Sequence, residues 1–114
     1  MIRKENDIRT EKRAIGGGEG EIVINHRMEK DEMFGKCRLC AELVIAPGCS
    51  IGQHIHEAET EIFYVLEGEL VSIGADGNET VFAKGDVMST GGGGSHALRN
   101  DTDKNAVLFA VIAV

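Results

Sequence analysis

Three of the four histidines in this 114-residue chain stand in two short glycine-framed segments. The first, from Gly48 to Gly68, reads GCSIGQHIHEAETEIFYVLEG and holds His54, His56 and Glu61. The second, from Gly85 to Asn100, reads GDVMSTGGGGSHALRN and holds His96. In an extended strand, residues i and i+2 share a face, so His54 and His56 point the same way with Cβ atoms roughly 7 Å apart. One metal ion can reach both rings. Glu57 to Thr60 is a polar tetrad of hairpin length, which predicts an antiparallel return that brings Glu61 alongside the histidines. Three neutral imidazoles and one carboxylate suit a single divalent transition metal: Mn, Fe, Zn, Ni or Co. In an octahedral shell, His54, His56, Glu61 and His96 leave two cis positions open for water or a chelating ligand. A structural zinc site would instead be closed, tetrahedral and usually richer in cysteine. The alternative reading is three surface histidines on a polar strand edge.

The elements that must position these side chains have period two rather than 3.6. Residues 22–28, 37–45, 62–66, 70–73, 80–82 and 106–114 are short runs rich in β-branched residues, separated by Gly, Asn, Asp or the single Pro. Asp76-Gly77 is the dipeptide that type I′ hairpins prefer. No stretch predicts a full helix, although residues 3–14 have room for one marginal turn. The pattern is that of a small all-β barrel or sandwich, a single domain over residues 1–114 with residues 1–20 as an N-terminal arm that could pack on a partner subunit. Alternation puts Glu61, Phe63 and Val65 on one side of a strand and Ile62, Tyr64 and Leu66 on the other. Residues 106–114 have no polar face at all. An apolar outer face needs a cover, so a homodimer is expected; the alternative is a sandwich covered by its own N-terminal segment.

With these residues in place, the chain resembles the cupin family. The first cupin motif, G-x5-H-x-H-x(3,4)-E-x6-G, is met by Gly48, His54, His56, Glu61 and Gly68. The second, G-x5-P-x-G-x2-H-x3-N, is met by Gly85, Gly93, His96 and Asn100, with Gly91 where the family has proline. The resemblance implies a jelly-roll β-barrel (a double-stranded β-helix) with the metal inside, usually dimeric. It also implies a small metalloenzyme of decarboxylase, dioxygenase or isomerase type, acting on an oxygen-rich carboxylate or a sugar-derived substrate. Oxalate-type decarboxylation is one specific expectation. The rival expectation is a non-catalytic module that binds or senses a small metabolite, with the metal structural, since one scaffold hosts many functions.

Other signals bear on partners and on the pocket. The net charge is −7. Residues 1–14 hold five bases against three acids, so the remaining hundred carry −9. Such a body repels phosphate backbones, and no nucleic-acid partner is expected. The longest uncharged apolar run, 106–114, falls far short of the ~20 residues of a membrane span, and no membrane partner is expected. The first residues lack the apolar segment of a secretory signal. With an odd number of cysteines (Cys37, Cys40 and Cys49), this predicts a cytoplasmic protein. Phe63 and Val65 follow Glu61 on its face and are expected to line the pocket floor. His26, Arg27 and Arg38 are candidate substrate contacts, the arginines as carboxylate clamps; Arg99 is a weaker one, because alternation from His96 turns it outward. No residue declares itself as general acid or base. Glu59, near the hairpin tip, is a candidate whose alternative is a solvated turn carboxylate. Cys37 and Cys40 form a CxxC, but alternation sets i and i+3 on opposite faces, and no redox context accompanies them. Gly91 to Gly94 lacks the Lys-Ser/Thr ending of a phosphate loop. Residues 101–112 lack the glycine and glutamate of a calcium loop.

Overall fold

A computed structural model describes all 114 residues. Ten strands account for most of the chain: β1 Arg9–Arg13, β2 Ile22–Met28, β3 Cys37–Ile45, β4 Ser50–His56 and β5 Thr60–Glu67. They continue as β6 Glu69–Gly74, β7 Glu79–Ala83, β8 Val87–Gly91, β9 Gly94–Arg99 and β10 Ala106–Ala113. All pairings are antiparallel, in a six-stranded sheet ordered β1-β2-β3-β10-β5-β8 and a four-stranded sheet ordered β4-β9-β6-β7. This is the all-β jelly roll that the two-residue period and the resemblance imply. Alternate residues of the facing strands meet between the sheets, among them Ile22 and Ile24 of β2, Phe63 and Val65 of β5, and Leu108 and Ala110 of β10. Burial at about 25 cal/mol per Å² of apolar surface makes these inward faces the main stabilising element.

Two local expectations are corrected and one is extended. The marginal turn expected in residues 3–14 is a 3-10 turn at Glu5–Asp7, and the charged run after it is β1, an unforeseen strand paired with β2 from Arg9↔His26 to Arg13↔Ile22. An edge strand can be polar on both faces, and its charges discourage further edge pairing. The 74–78 turn is not type I′, because only Gly77 of its residues has positive φ (83°). Gly77 N–H bonds Gly74 C=O and Gly74 N–H bonds Asn78 C=O, as in a type I turn followed by a left-handed residue. Most importantly, β4 and β5 do not pair. At Glu57–Glu59, with Ala58 at φ 54°, the chain turns a corner from the four-stranded to the six-stranded sheet.

Two further features set up the site. Residues 15–20 close over β4 of their own chain, where Gly52 N–H bonds Ile15 C=O and Ser50 N–H bonds Glu19 C=O. The approach is so tight that a Cβ on Gly52 would lie 2.0 Å from Gly16 O, and one on Gly18 2.2 Å from Ser50 O. In β3, the register with β10 jumps from Ile112↔Leu39 to Ala113↔Cys37, leaving Arg38 as a bulge. Bulges re-aim side chains, and this one has consequences for the site.

Candidate metal centre

His54 and His56 project from β4, and His96 from β9 directly opposite His54. Glu61 arrives from β5 in the other sheet, carried by the corner at Ala58 rather than by a hairpin. The His96 Nε2 lies 3.1 Å from His54 Nε2 and 3.3 Å from His56 Nε2. Glu61 Oε1 lies 2.9 Å from His56 Nε2, 3.0 Å from His96 Nε2 and 3.8 Å from His54 Nε2. His56, His96 and Glu61 are buried, and His54 is partly so. The four donor atoms all fall within 4.8 Å of one another, close enough to hold one metal ion.

The opposite edges of the rings explain the convergence. His54 Nδ1 is 2.7 Å from the Gly52 carbonyl oxygen, His56 Nδ1 is 2.8 Å from Glu59 Oε1, and His96 Nδ1 is 2.8 Å from Thr90 Oγ1. A carbonyl and a carboxylate only accept, so Nδ1 of His54 and His56 is the donor, and each ring turns its Nε2 edge inward. Three imidazole nitrogens packed about 3 Å apart around a carboxylate oxygen are a ready seat for a cation. Glu61 Oε1 is also buried without a hydrogen-bond partner, for its approaches to Nε2 lack hydrogen-bond geometry. Burial pushes the Glu61 carboxyl up, but His54 and His96 outweigh it and hold the group at about 2. Glu61 in turn raises the His54 imidazole, against its partial burial. The cluster therefore favours positive charge at its centre. An orphaned carboxylate oxygen and three converging imidazole nitrogens fit a divalent transition ion.

Beside the cluster is a cavity of about 210 Å³. Its lining includes His54, His56, Glu61 and Phe63, together with apolar residues from β2, β3, β4 and β10. Phe63 also stacks on His96, with centroids 5.1 Å apart. Arg38 lines the cavity together with its neighbour Leu39, although plain alternation would send one of them outward. The bulge is the reason. Arg38 Nε and Nη2 each lie 2.6 Å from a Glu59 oxygen. Glu59 is thereby held at about 2, chiefly by Arg38 and also by His56. The side chain read as a solvated turn carboxylate or an acid–base group instead links a guanidinium to a histidine of the cluster.

The other candidates lie elsewhere. Val65 is buried one inward step beyond Phe63, in the packed core, and does not line the cavity. His26 faces inward but is covered by β1, with Nε2 3.2 Å from Glu11 Oε1. Arg27, next in sequence, pairs with Glu5 and Glu42 away from the cavity. Arg99 is spent on Asp101 and Glu79. Asn100 is buried and ties Ile45 C=O to Lys104 C=O through its Nδ2, a structural duty. Sequence reasoning missed Thr90, Arg13, Ile15, Ile24, Leu39, Leu43, Ile51 and Ile112 as parts of the site. Inward alternation marks Ile24, Leu43 and Ile112 as core, but only the cross-sheet packing says which core residues stop short of contact and leave a space.

The comparisons with known proteins follow this geometry. The cupin domain family matches residues 41–112. The Thermotoga maritima protein named oxalate-binding protein is 36% identical over 113 residues, which cover 98% of this chain and 93% of that one. The crystal structure of a predicted oxalate decarboxylase from Thermotoga maritima superposes with a TM-score of 0.92 at 36% identity, covering 100% of this chain and 99% of that one. The polyketide cyclase RemF from Streptomyces resistomycificus shares the fold at 24% identity, with a TM-score of 0.78 over 99% of this chain and 79% of that one. With the family matched over most of its length and a relative aligned end to end, this chain belongs to the cupin family.

Proposed function

We infer that His54, His56, Glu61 and His96 hold one divalent transition metal (Mn, Fe, Zn, Ni or Co) and that the adjoining cavity receives a small oxygen-rich carboxylate or sugar-derived compound. The observation that carries this reading is the convergence of three Nε2 atoms on a buried, unpartnered carboxylate oxygen. A bound metal would supply Lewis acidity, or oxygen activation if it is iron. The chain's own part is to orient: Gly52, Glu59 and Thr90 fix the rings, and the apolar lining excludes water. The Thermotoga maritima matches support a carboxylate ligand, through the name oxalate-binding protein and the description of a predicted oxalate decarboxylase.

A catalytic role of decarboxylase, dioxygenase or isomerase type is the first reading. A non-catalytic binding module is the second, favoured by one observation: beyond the cluster, the only ionisable side chains lining the cavity are Arg13 and Arg38. Neither is a ready proton donor or acceptor at neutral pH. Turnover assays of metal-loaded protein on oxalate, hydroxy acids and sugar-derived acids separate them. Turnover lost in His56→Ala supports the enzyme; saturable binding without turnover supports the module.

Independently of the metal site, we propose that the molecule is a homodimer. Ile62, Tyr64 and Leu66 on the outer face of the six-stranded sheet are 39%, 45% and 38% exposed, and Phe109 pairs with Tyr64 beside them. Such a patch is well suited to a second copy. Three free cysteines fit a reducing, cytoplasmic setting, and no helix is long and apolar enough to cross a membrane.

A further inference from the structure

Among the buried residues that line the cavity, only those of the histidine cluster are polar. Ile24, Leu43, Ile51 and Ile112 line its interior, and each is more than nine-tenths buried. Away from the histidine cluster, the free donors lie on exposed guanidinium groups: Arg38 Nη1, which Glu59 does not engage, and the two terminal nitrogens of Arg13. A carboxylate carried into the interior would leave water without a hydrogen-bond partner there, which is strongly unfavourable. An aliphatic group in the same place removes apolar surface from water on both sides.

We propose that the site takes small 2-oxo or 2-hydroxy monocarboxylates: the two vicinal oxygen groups lie at the His54, His56, Glu61 and His96 end, and a short aliphatic body lies against Ile24, Leu43, Ile51 and Ile112. This rests on the metal-site reading above and adds the substrate class to it. The volume, about 210 Å³, is smaller than the roughly 300–1,000 Å³ of pockets for drug-sized ligands. At roughly 30 Å³ per water, it accommodates on the order of seven heavy atoms. The acid head takes five of these, which leaves room for a body of about two carbons inside, with a third reaching the partly exposed edge at Leu39. Arg13 and Arg38 are the exposed residues of the lining, and their positive charge attracts the anion to the cavity.

Isothermal titration of the Mn(II)-loaded protein with pyruvate, 2-oxobutyrate and 2-oxovalerate tests this, with 2-oxoglutarate as the matched dicarboxylate. The acid head is constant across the series, so its affinity for the metal cancels. The expected result is a tightening of roughly fourfold per added methylene, with 2-oxoglutarate at least tenfold weaker than 2-oxovalerate. In Leu39→Ser, at the partly exposed edge of the lining, the chain-length dependence should flatten while metal content stays the same. An affinity independent of chain length overturns the proposal and leaves the metal reading standing, as does 2-oxoglutarate binding more tightly than 2-oxovalerate. A protein that takes up no Mn(II) and binds no member of the series overturns both.

Discussion

At the scale of single residues, Glu59 shows how a side chain can matter without touching a ligand. Its carboxylate accepts from His56 Nδ1 at 2.8 Å and is gripped by Arg38 at 2.6 Å. This fixes the ring orientation and leaves Nε2 free to donate electron density to a cation. Outer partners of this kind typically contribute about 10–100-fold to metal affinity. Glu59→Gln retains an acceptor but loses the charge, so metal affinity should fall within that range with little change in the melting temperature of the metal-free protein; calorimetric titration of the metal checks the first half and a thermal melt the second. Unchanged affinity would reduce Glu59 to a surface ion pair. The cluster of His54, His56, Glu61 and His96 was legible from motif spacing because histidine and glutamate at fixed intervals constrain chemistry directly. Glu59 was not, because its role depends on the left-handed turn at Ala58 and on a bulge that re-aims Arg38, neither of which leaves a residue signature.

At the scale of elements, alternation located the central strands well, since a buried face writes itself into every second residue. It failed where that physics is absent. RTEKR has no apolar face, so β1 was invisible; the Glu57–Thr60 tetrad serves equally as a hairpin or as a corner between sheets, and only the pairing of β4 with β9 decides. The closure of residues 15–20 on β4 leaves no room at Gly52, so Gly52→Ala should destabilise by about 1–3 kcal/mol, read as a lowered denaturation midpoint. The β1 edge should also respond to acid. His26 and then Arg13 hold the Glu11 carboxyl below its usual range, and Arg9 holds Glu29 below its own. Folded values below the unfolded ones mean that this support is in place above about pH 4.3 and is lost as the pH falls through the folded values. These groups are exposed and screened, so the effect is local. Amide protection of β1, corrected for intrinsic exchange, should decline between neutral pH and pH 3 ahead of β3 and β10. Simultaneous loss in all three strands would contradict this.

At the scale of the whole molecule, the outer face of the six-stranded sheet and the four-residue cluster make independent demands. Phe109 and Tyr64 stand side by side on that face, so Tyr64→Glu should convert a dimer to a monomer in sedimentation at micromolar concentration while leaving metal content unchanged. A wild-type monomer would remove the dimer from the picture without affecting the site. The two-sheet architecture was legible because the strand runs and the paired motifs point to the same jelly roll; the cavity was not, since an empty space is a property of packing between sheets rather than of any one strand. The claim on which the rest depends is that the four-residue cluster is a metal site. Elemental analysis of the purified protein beside His96→Ala tests it most directly. The expected result is one divalent transition ion per chain in the wild type and loss of that ion in the folded variant. A wild type that is metal-free and takes up none of the five candidate ions would contradict it.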